Sequence, residues 1–80
     1  MIVQSVTIRA TVLNTETHGE EFWEMSRSPN GMTSIERRDI PQNEGEKPSL
    51  IKRYGDIIVG ENEFAPDYLM GFIQGVAKSR

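Results

Sequence analysis

Helical periodicity occurs once in this chain, in the C-terminal stretch Pro66 to Arg80, and the apolar segments before it read as strands. A helix of that length must cover its apolar face, and the strands before it are what it has to cover it with. Leu69, Phe72, Ile73, Val76 and Ala77 recur at helical spacing, and Tyr68 and Met70 widen the stripe. Pro66 suits the first helical position, where a missing N–H does no harm. Asp67 in the first turn and Lys78 near the end complement the macrodipole. Gly71 and Gly75 stand one turn apart in this helix. Glycine costs about 1 kcal/mol relative to alanine there, so the pair implies that something comes close. The first expectation is a helix seated tightly on its own sheet. The second is a flat strip for another helix, as in a homodimer.

The strands come first in the chain. Ile2 to Leu13 alternates, with Val6, Ile8, Ala10 and Val12 on one side and Ser5, Thr7, Arg9 and Thr11 on the other. Glu20 to Arg27 is a second strand, with Trp23 and Met25 on one face and Phe22 on the other. Ser28-Pro29-Asn30-Gly31 is a turn, with proline presetting φ and Asn-Gly accepting positive φ. Met32 to Ile40 is a third strand, so polar that an edge position is expected. Pro41 to Ser49 is a loop, and Leu50 to Val59 a fourth strand. Leu50 and Tyr54 fall on one parity, Ile57 and Val59 on the other. A β-bulge at Gly55 would bring all four to one side, and a central strand apolar on both faces is the alternative. The expected fold is α+β: a small antiparallel sheet of about four strands with one C-terminal helix on one face (ββββα), a single domain over residues 1–80. Strand order is not legible.

Eighty residues bury only about 60–65% of the surface the unfolded chain exposes, so oligomerisation is a common source of extra stability. A hydrophobic fraction of 36% is too low for a membrane protein, and no run approaches the ~18–20 apolar residues that span a bilayer. The N-terminal residues lack a basic region followed by an apolar stretch, and cysteine is absent. A cytoplasmic location is the expectation that follows. The net charge of −3 disfavours nucleic acid and anionic membranes.

Candidate chemistry is sparse. Gly55 to Gly60 has the glycine spacing of a phosphate loop, but Glu61-Asn62 follows where Lys-Ser/Thr is required. His18, the one histidine, falls in a polar loop without a partner for nucleophilic or metal chemistry. Asp56, Glu61, Glu63 and Asp67 match no calcium-loop spacing and serve as helix-end and solvated charges. No catalytic residue, metal or cofactor is assigned, and a non-enzymatic protein is expected.

Phe22 and Trp23 are adjacent in a strand and face opposite sides, so one of them lies away from the helix. Glu20, Glu21 and Glu24 surround the pair and would steer a basic partner. These five residues form the candidate partner-binding site. The expected function is protein–protein binding that masks a partner surface. Small acidic α+β proteins without motifs are often accessory regulators or inhibitors, including those of phages and mobile elements. A self-assembling subunit, joined through its first strand or its glycine strip, is the second expectation. Weak single-stranded nucleic-acid binding through Arg37, Arg38, Lys52 and Arg53, near Tyr54 or Trp23, is the third.

Overall fold

β1 (Val6–Leu13) follows the alternation of its sequence and pairs antiparallel with β2 (Glu20–Arg27), placing Ile8 opposite Met25 and Ala10 opposite Trp23. The computed structural model describes residues 4–15, 19–39, 45 and 49–79. Glu16 and His18 in the first connection, and Glu44 and Glu46 in the Pro41–Ser49 loop, lie outside the described residues. β3 (Met32–Asp39), β4 (Ser49–Ile58) and a helix, α1 (Pro66–Lys78), complete the chain. All neighbours in the sheet are antiparallel and the order is β1-β2-β3-β4, so the ββββα arrangement holds as a meander with one helix.

The turn between β2 and β3 forms as its residues require. Gly31 N donates to Ser28 O at 2.9 Å, and Gly31 itself takes φ +92°. Asn30 Oδ1 accepts from Met32 N at 3.0 Å and from Ser28 Oγ at 2.6 Å, which closes the loop from inside.

β3 is an interior strand, not the edge its polarity suggested. Its inward residues Thr33 and Ile35 are buried, while Ser34, Glu36 and Arg38 point to the face the helix leaves bare. One wet face accounts for the polarity of a strand that has neighbours on both sides. The edges are β1 and β4.

β4 carries the irregularity expected near Gly55. Thr33 pairs with Ile57 and Ile35 with Tyr54, so β4 spends an extra residue there, and Asp56 adopts φ +56°. The shift brings Tyr54, Ile57 and Val59 to the helix side. A second shift, between Arg37 and Arg38, turns Leu50 the other way: it shares its face with Arg38 and is 50% exposed. Three of the four residues therefore share a face, and Leu50 does not.

The core lies between the inner face of the sheet and α1. Trp23, Met25 and Ile35 pack against Leu69 and Ile73, all buried, with Ile8, Ala10, Val12, Tyr54, Ile57, Phe64, Tyr68, Phe72 and Val76 around them. Burying side chains of this size contributes about 1.5–3 kcal/mol each, and β2 and α1 carry four of the six buried apolar side chains among the described residues. Met70 and Ala77, at the rim of the expected stripe, remain exposed. No helix among the described residues is long and apolar enough to cross a membrane.

Candidate functional site

The two adjacent aromatics of β2 part at the sheet. Trp23 is fully buried and forms an aromatic cluster with Tyr54, stacked at 6.2 Å, and Phe72, edge-on at 6.3 Å. Tyr54 and Phe72 meet edge-to-face at 5.0 Å, so strand, edge strand and helix are joined through three rings. Trp23 cannot touch a partner without the helix lifting off. The apolar anchor of the bare face is Phe22.

Glu21 also departs from its expected role. It has the parity of Trp23 and points inward, where its Oε1 accepts from Trp23 Nε1 at 3.1 Å. Its Oε2 accepts from Asn14 Nδ2 at 3.0 Å and lies 3.1 Å from Arg37 Nη2. A buried carboxylate requires such partners. Arg37 reaches on to Asp39 at 3.3 Å, while its buried Nε has no hydrogen-bond partner among the described residues. Glu21 thus closes one end of the core and steers nothing.

Glu20 and Glu24 do flank Phe22 on the outer face. Across the sheet Phe22 stands between Thr11 and Arg38, with Leu50 beyond Arg38. Leu13, opposite Glu20, is 62% exposed and diagonal to Phe22. Leu13, Phe22 and Leu50 therefore form a broken apolar line, with the Arg38 stem bridging it. Beside that line runs a charge row: Arg9 to Glu24 at 3.0 Å, Arg38 to Glu36 at 3.0 Å and Arg53 to Glu36 at 3.9 Å. Exposed pairs of this kind contribute roughly 0–1 kcal/mol each. They do neutralise Glu24, so the acidic surround expected of Phe22 reduces chiefly to Glu20. At the far end of the same face, Met32 and Ile58 form a directly opposed, exposed apolar pair.

The four basic residues are divided between the two faces. Arg37 and Lys52 are opposite each other on the inner side, the first tied to Glu21 and the second 5.0 Å above the Tyr54 ring. Arg38 and Arg53 lie on the outer side, sharing Glu36. They form no single strip on which a nucleic-acid backbone could track.

Gly71 and Gly75 face away from the sheet. A Cβ at either position would meet no heavy atom within 4 Å, which overturns the expectation of a helix seated closely through its glycines. Among the described residues no group of three or more His, Cys, Asp or Glu is placed to hold a metal ion.

Leu13 and Leu50 were missed as candidates. Leu13 was within reach, because it has the parity of Thr11 rather than of Val12. Leu50 was not, because the second register shift leaves no mark on the alternation. No protein-family model matches the chain, and no curated protein or solved structure matches it.

Proposed function

We propose that this chain is a non-enzymatic protein that binds another protein through the outer face of its sheet, masking a surface of that partner as an accessory regulator or inhibitor does. The observation that carries this reading is the division of Phe22 from Trp23. Trp23 is the ring that fills the core, yet a second large aromatic stands on the uncovered side, between Leu13 and Leu50. Aromatic anchors within a polar, ion-paired rim are the usual anatomy of a protein interface. Glu20 adds a modest preference for a basic partner at that edge.

The test compares Phe22→Asp with the wild-type chain as immobilised bait. Trp23, the one tryptophan, is buried against Tyr54 and Phe72, so its fluorescence reports the fold of each bait directly. Phe22→Asp is expected to keep native emission and to lower partner affinity at least 30-fold, equivalent to about 2 kcal/mol for an interface anchor. Loss of the fold in step with loss of the partner, or an undiminished affinity, removes the assignment.

A further inference from the structure

The two edges of the sheet are built differently. β4 is blunted in several of the ways by which natural sheets avoid pairing with a neighbour. It has two register shifts against β3, a left-handed residue at Asp56 beside Gly55, and Lys52 and Arg53 along its length. β1 has neither a register shift nor a left-handed residue. Its eight residues pair with β2 without a shift, contain no glycine, proline or lysine, and are mostly β-branched. Its one charge, Arg9, is held by Glu24 at 3.0 Å. An edge this regular is a template for another strand.

The core is also unfinished on that side. The fully buried apolar residues belong to β2, β3, α1 and Val59, and none belongs to β1. Ile8, Ala10 and Val12 touch the core but are only partly covered, and Val6 is 50% exposed. A hollow of about 130 Å³ lies between the β1 end and the helix, lined by Val12, Ile73 and Ala77 together with the polar Asn14, Thr15 and Glu21.

We infer that β1 pairs antiparallel with β1 of a second copy of this chain across a two-fold axis, extending the sheet to eight strands with both helices on one side. Charge permits a second copy at this edge. The chain has a net charge of −3 and 12 acidic residues, yet none of those lies before Glu16. The β1 edge is therefore a place where two acidic molecules can meet without like charges opposed. A two-fold seam also sets the apolar Val6, Ile8, Ala10 and Val12 of one copy against those of the other on the inner face. Only a register centred on Arg9 would oppose two arginines. The outer face stays open in this dimer, and Phe22 lies one strand from the seam in each copy.

Because the chain has no cysteine, single Thr11→Cys and Arg53→Cys variants can each carry one nitroxide at an exposed outer-face position. Sedimentation establishes the dimer and pulsed electron resonance measures the distance between its labels. With strands ~4.8 Å apart, Thr11 labels are expected within about 20 Å of each other and Arg53 labels, seven strand spacings apart, at roughly 30–35 Å. A chain that sediments as a monomer up to millimolar concentration overturns the inference. So does a dimer in which the Arg53 labels are the closer pair.

Discussion

Gly71 and Gly75 each cost the helix about 1 kcal/mol relative to alanine, and neither recovers it by approaching the sheet, since a side chain at either position meets empty space. Within the isolated molecule their replacement is therefore a gain. Gly71→Ala and Gly75→Ala are each expected to stabilise the chain by roughly 0.5–1 kcal/mol, read as an upward shift of the urea midpoint followed by Trp23 fluorescence. A loss of stability in either variant would mean that the helix back is covered in solution. At the same scale the decisive distinction lies between neighbours. Phe22 and Trp23 differ by one position in a strand, and that one position separates a ring inside the core from a ring on the bare face. The parity was legible; which of the two was inside rested on their companions. Met25 shares the parity of Trp23, whereas Glu20 and Glu24 share that of Phe22. Glu21 broke this logic, because its carboxylate is carried inward by Trp23, Asn14 and Arg37 rather than by hydrophobicity.

Among the elements, β3 and β4 show where alternation stops being informative. A polar strand at an edge and a polar strand with one wet face have the same pattern, so the interior place of β3 could not be read from its residues. The shift at Gly55 was legible because it puts Tyr54 and Ile57 out of phase. The shift near Ile51 was not, because Leu50 and Tyr54 keep the same parity on either side of it. β2 and β3 are also joined through the inner face by Glu21 and Arg37, whose side chains are 5% and 22% exposed. Removing one member of such a pair strands the other. Arg37→Leu is expected to destabilise the protein by about 3 kcal/mol, and Glu21→Gln in the same chain should restore a good part of that. Denaturant unfolding of the two single variants and the double variant measures the coupling; simple additivity would show that the pair contributes no interaction of its own.

The whole molecule is a layer with two unlike sides. One is closed by α1, and the other shows Leu13, Phe22 and Leu50 in line beside a row of paired charges. Its expected architecture is present in the structure, but its surfaces followed less directly from the sequence, since helix exposure and edge regularity depend on register. The glycine strip lost its internal explanation and the bare face of the sheet gained weight as the place where the molecule meets others. Covalent footprinting of the protein, free and with its captured partner, tests this most directly. Protection at Phe22, Leu13 and Leu50, with the exposed Met70 of α1 as reactive as before, is the expected result; protection confined to α1, with Phe22 unchanged, would contradict it.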